Sequence, residues 1–132
     1  MEKNEELSRM AYEARYYQSQ LEELQRQGNS IQAAMAELTM SIRGLGSVKD
    51  AGSTLMGVGS GTFVPVSVAN AERVLVEVGG RVFAEKTVPD AIQLLESRRK
   101  NLDAALGKVA ESMDAVSARL QALEERAGML QQ

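Results

Sequence analysis

The sequence predicts an α+β chain: two long helices zipped into an antiparallel coiled coil, with a central block of two β-hairpins between them. Three observations predict it. Apolar series with unbroken steps of three or four residues occupy both ends of the chain. The block between them switches to a period of 2. Glycine clusters fall inside that block where the chain must turn.

The first series reads Leu7, Met10, Ala14, Tyr17, Leu21, Leu24, Gly28, Ile31, Met35, Leu38, Ile42, Leu45. The second reads Ile92, Leu95, Arg99, Leu102, Leu106, Val109, Met113, Val116, Leu120, Leu123, Ala127, Leu130. A 3.5-residue repeat held over about five heptads is the pattern of a coiled-coil seam. The first helix is expected from about residue 4 to 43, ended by Gly44 and Gly46. The second starts after Thr87, a plausible N-cap, with Pro89 and Asp90 suited to a first turn. At 1.5 Å per residue each helix spans roughly 60 Å. Equal lengths on either side of a short block suggest that the helices fold back on each other, with the two chain termini together. The seam has two irregularities. Gly28 leaves a hole expected opposite Gly107 and Val109, and Arg99 puts a charge near Leu38, its stem along apolar surface and its head in water.

In the central block Val64, Val66 and Val68 alternate with Phe63, Pro65 and Ser67, and Val74, Val76 and Val78 alternate with Leu75 and Glu77. Each triplet lines one face of a strand. Strands are expected at about 55–58, 62–68, 73–78 and 81–86, paired into hairpins at Gly57, Gly59 and Gly61 and at Gly79 and Gly80. Pro65 cannot donate to a ladder, so its strand is an edge or carries a bulge. The chain thus divides into a coiled-coil helix over 1–46, a linker over 47–53, hairpins over 54–87 and a second coiled-coil helix over 88–132, one structural unit in all.

Composition excludes several function classes. The 132 residues include no histidine, cysteine or tryptophan, and only 4% are aromatic. Disulfides and thiol chemistry are absent, and a metal would find carboxylates alone. A net charge of -3 argues against nucleic acid as a partner. No apolar run is long enough to span a membrane, and the charged start, MEKNEELSR, does not read as a secretory signal. A soluble intracellular protein, cytoplasmic, without cofactor and not an enzyme, is the expectation. Gly57 to Gly61 superficially suggests a phosphate loop, but a valine-rich strand follows it and no Lys or Arg occurs before Arg73, so a hairpin turn is the better reading. Glu22 with Glu23, Asp103, Glu111, Asp114 and Glu124 with Glu125 fall on outer helix faces, where nothing desolvates a carboxylate for acid–base work. Arg98, Arg99 and Lys100, flanked by Glu96 and Asp103, read as a solvated helix turn.

The apolar residues near the chain ends are candidates for contact with other proteins: Leu7, Met10, Tyr12, Tyr16, Leu123, Met129 and Leu130, with Met1 and Tyr17 beside them. Leu7, Met10, Tyr17, Leu123 and Leu130 are also seam residues. Tyr12, Tyr16 and Met129 lie off the seam. They are either isolated surface apolars, which are common, or part of an adhesive tip.

GVGSGTFVPVSV at 57–68 and ERVLVEVGGRVFAEKTVPDAIQLLE at 72–96, set between long helices, resemble the α-class subunit of prefoldin, archaeal type. The resemblance covers essentially the whole chain. Its specific parts are Gly59-Ser60-Gly61, Val76-Glu77-Val78-Gly79 and Glu85-Lys86-Thr87; it departs at Arg81, where the family often has a second glycine. The resemblance implies hairpins that oligomerise into a β-barrel-like assembly with β-class prefoldin subunits, usually two α with four β. It implies coiled-coil tips that hold unfolded client proteins without ATP and pass them to a group II chaperonin. The expected interface is Val64, Val66, Val68, Val74, Val76, Val78 and Phe83, a row of apolar residues with no helix of the chain to cover it. Two rivals remain: a filament-forming relative that self-associates through open hairpin edges, and a passive coiled-coil scaffold or tether.

Overall fold

A computed structural model describes residues 2–50 and 52–132, so Met1 and Ala51, the latter within the expected linker, lie outside the described residues. The apolar series become two helices, α1 (Glu2–Ser47) and α2 (Val88–Gln131). Every residue of both series is buried or half-buried. A stripe repeating every 3.5 residues stays on one helix face, and only a partner along that face can bury it. The first helix outruns its expected end, because Gly44 and Gly46 do not stop it. Glycine costs about 1 kcal/mol in a helix interior, and half-buried Ile42, Leu45 and Val48 on either side hold the turn through packing. The chain then makes a 3-10 turn at Val48–Asp50.

The chain divides into two compact units, one of Met1–Ala34 with Leu102–Gln132, the other of Met35–Asn101. In the first unit the helices run antiparallel. The Arg126 guanidinium stands 3.6 Å from a Glu6 carboxylate oxygen, and buried Gly28 faces Val109 and Leu106. Gly107, expected there, has open space where a Cβ would stand, and Leu106 rather than Gly107 meets Gly28. Met10, Val116 and Leu123 are the buried apolar residues of this unit.

The second unit carries two separate antiparallel hairpins, β1 (Ser53–Gly59) with β2 (Thr62–Ser67) and β3 (Arg73–Gly79) with β4 (Val82–Thr87). Val68, expected in a strand, lies just beyond β2. The two hairpins repeat one design at an offset of 20 positions. Leu55 recurs as Leu75, Val58 as Val78, Gly59 as Gly79 and Phe63 as Phe83. The registers match as well: Met56 opposes Val64 as Val76 opposes Ala84, and a bulge interrupts each ladder, at Gly57/Gly59 and at Glu77/Gly79. Both turns have two central residues at positive φ, Ser60 with Gly61 and Gly80 with Arg81. That is the mark of a type I′ turn, whose twist suits a hairpin. Arg81 therefore departs from glycine without changing the turn, and its left-handed φ of 62° is supported by Glu77, whose Oε1 accepts the Arg81 N–H at 3.0 Å.

The step into α2 has no linker. Thr87 ends β4 and caps the helix, its Oγ1 accepting the Asp90 N–H at 3.3 Å. The Val88 N–H reaches back to the Glu72 carbonyl at 3.2 Å, and Asn70 Oδ1 accepts the Glu72 N–H at 2.9 Å, an Asx turn that brings β3 in. Val88, Ala91 and Leu95 are buried, so the first turns of α2 hold the core of this unit.

Candidate assembly and client-binding surfaces

In an antiparallel pair, directly opposed residues share a face. In the second hairpin Val74, Val76 and Ala84 lie on one face, and Leu75, Glu77 and Phe83 on the other. The first face turns inward. Val76 is only 9% exposed, Val74 and Ala84 are half-buried, and the Arg98 guanidinium of α2 donates to the Glu77 carbonyl. The expectation of an open valine row does not hold at Val74 and Val76, which are covered within the chain, and Arg98 of α2 reaches this hairpin. The opposite face is open: Leu75 is 72% and Phe83 61% exposed. Arg73 and Glu85, 3.4 Å apart, edge it with charge.

The first hairpin is open on both faces. Leu55 and Phe63 share one, Met56 and Val64 the other, and all four are exposed, as is Val58 at the bulge. Val66 alone among the residues of its strands is half-buried. Gly57 accommodates the Phe63 ring, which a Cβ at that position would meet at 3.7 Å. Of the expected interface residues, Val64, Val68, Val78 and Phe83 are exposed, Val66 and Val74 half-buried and Val76 buried. Leu55, Met56, Val58, Leu75 and Val82, outside the expected set, are exposed as well. The 20-residue repeat was the signal that could have found Leu55 and Leu75, since it marks them together with Phe63 and Phe83.

At the chain ends the candidates separate into two kinds. Met10 and Leu123 are buried in the seam, and Leu7 and Leu130 are half-buried. A cleft of about 170 Å³ opens along this stretch, lined by Leu7, Met10, Ala11, Ala14, Leu123 and Ala127 among others. Tyr12, Tyr16 and Met129 project outward, Tyr12 74% and Met129 73% exposed. The Tyr16 hydroxyl accepts from Gln20 Nε2 at 3.1 Å, and its ring tilts against Tyr17 with centroids 5.9 Å apart.

The basic cluster departs from a solvated turn. Arg98 is bound to Glu77, and half-buried Arg99 donates to Thr39 Oγ1 at 3.3 Å, so its head finds a hydroxyl across the seam. The Thr39 hydroxyl itself donates to the Met35 carbonyl at 3.0 Å. On the outer face of α1, the hydrogen bond from Arg26 and then its charge hold the Glu23 carboxyl below the usual range, which favours the ionised form rather than a proton donor. Gly57 to Gly61 form the bulge and turn of a hairpin with no helix start beside them. Among the described residues no cluster of acids could hold a metal ion, and no helix is long and apolar enough to cross a membrane.

Two long helices joined through two small, apolar-faced hairpins are the build of a coiled-coil protein with a strand block between its helices. A family model, Prefoldin subunit, matches residues 17–132. The prefoldin subunit alpha of Methanosarcina barkeri is 32% identical over 134 residues, covering 97% of this chain and 93% of that protein. That of Methanosarcina mazei is 29% identical over 136 residues, covering 98% and 96%. Among solved structures, the cryo-EM structure of a filamentous PFD from Methanocaldococcus jannaschii is similar with a TM-score of 0.76 at 27% identity, over 85% of this chain and 95% of that one. The chain belongs to the prefoldin family, a family of chaperones, and its relatives here are archaeal α-class subunits.

Proposed function

We propose that the chain is one subunit of an ATP-independent holding chaperone of the cytoplasm. It joins β-class prefoldin subunits through its hairpins, two α with four β. It binds unfolded proteins near its paired chain ends and passes them to a group II chaperonin. The observation that carries this reading is the exposure of Leu55, Met56, Phe63, Leu75 and Phe83 on hairpins of two strands each. A two-stranded hairpin is marginal in water, and open strand edges with large apolar faces call for a partner. Exposed Tyr12, Tyr16 and Met129 then supply weak apolar contacts at the other working surface. Several such ends on one assembly hold a client by multivalency, with no chemical step. Mixing the purified chain with a β-class subunit and measuring mass by light scattering tests the assembly. A denatured client diluted into the complex without nucleotide tests the holding. A defined hetero-oligomer that suppresses client aggregation is expected; two species that never associate, or a complex that leaves aggregation unchanged, would refute it.

The likeness to a filamentous PFD favours a second reading, self-assembly through the same hairpins. Light scattering of the chain alone separates the two, since filaments grow with concentration and a capped oligomer does not.

A further inference from the structure

The repeat makes the two hairpins directly comparable, and they differ where it matters for presenting a surface. Val76 is 9% exposed, whereas Met56, its counterpart in the repeat, is 51% exposed. The second hairpin is anchored at one junction. Glu77 accepts the Arg81 N–H on its carboxylate and the Arg98 guanidinium on its carbonyl. One residue thus joins the turn, the bulged strand and the third turn of α2. Arg98 follows Val88, Ala91 and Leu95 at helical spacing, all three buried, so it stands at the end of the buried face of α2 and reaches the hairpin from there. In the first hairpin Gly57 stands where Glu77 does and Gly61 where Arg81 does, and no residue from Ser53 to Ser67 is charged. Among the described residues no hydrogen bond ties that hairpin to a helix.

We propose that Arg98 is a positioning residue for assembly. It holds the second hairpin in a set pose on α2, so its Leu75–Phe83 face is ready before any partner arrives. The first hairpin is an untethered arm that takes a fixed pose only when a prefoldin partner covers its two faces. The asymmetry saves one hairpin the ordering entropy that the other must lose on binding. This inference rests on the hairpins being the assembly site.

Hydrogen–deuterium exchange of the full chain, free and in complex with a β-class subunit, tests it. In the free chain, amides over 73–87 should be protected and those over 53–67 should exchange rapidly; in the complex both should be protected. Arg98→Met keeps the helix and the apolar stem but removes the charge-assisted hydrogen bond. It should speed exchange over 73–87 about tenfold and weaken assembly by a similar factor, the scale of one such bond. Arg98→Lys, which can still reach one acceptor, should recover part of both. Equal protection of both hairpins in the free wild-type chain would overturn the inference, as would an Arg98→Met chain with unchanged exchange over 73–87. If the wild-type chain fails to assemble at all, the assembly reading falls, and the free-chain exchange still decides whether Arg98 holds the hairpin.

Discussion

Gly28 shows how much a single seam position decides. It is buried, yet a Cβ built there would meet Val109 Cγ1 at 3.7 Å and Leu106 Cδ1 at 3.8 Å, ordinary contact distances. The seam therefore has room for one methyl. Gly28→Ala should stabilise the chain by about 1 kcal/mol, because alanine is the better helix former and the methyl gains contacts without strain. The melting temperature followed by circular dichroism should rise by about 3 °C, given the size of the chain. Gly28→Leu should lower it, since a side chain that overfills a packed site costs about 1–3 kcal/mol. Sequence alone located the hole but not its depth. Hole size depends on the helix separation, which the neighbouring Leu106 and Val109 set and no periodicity encodes.

At the scale of elements, burial discriminates between the faces of the second hairpin. Val76→Asp places an unpaired charge at a position buried within the chain, so it should destabilise the free subunit by several kcal/mol. Phe63→Asp and Phe83→Asp replace exposed rings, so both should leave circular dichroism and melting nearly unchanged while abolishing assembly by light scattering. A Phe63→Asp, Phe83→Asp chain that assembles normally would remove these faces from the interface. The helices and both hairpins were legible in the residues because their periods, 3.5 and 2, are imposed by backbone geometry. The choice of covered face was not. Val74 and Val76 alternate with Leu75 as regularly as Val64 and Val66 alternate with Pro65. Only the direct run of β4 into α2 at Thr87 and the reach of Arg98 turn one valine face inward. The end of α1 was misjudged for a related reason, since the glycine penalty at Gly44 and Gly46 is smaller than the packing of the turns that hold them.

For the whole molecule, assembly and client holding should be separable. Tyr12, Tyr16 and Met129 are exposed and outside the seam, whereas Met10 and Leu123 are buried within it. Replacing the three exposed residues with serine should leave oligomer mass intact and lower client capture several-fold. Each buried apolar side chain contributes roughly 1.5–3 kcal/mol, less the entropy lost when a mobile surface is pinned. Capture unchanged for every client would shift the binding surface to the cleft between Leu7 and Ala127. The two helices also differ in how they are fastened to the strands. A pull on α1 meets the 3-10 turn at Val48–Asp50 and Gly52 before it reaches β1. A pull on α2 meets Thr87, which belongs to strand and helix at once. A load applied along α2 would therefore reach the second hairpin without an intervening linker. In mechanical terms α2 is welded to its strand, and the Arg98–Glu77 contact is a second fastening between the two.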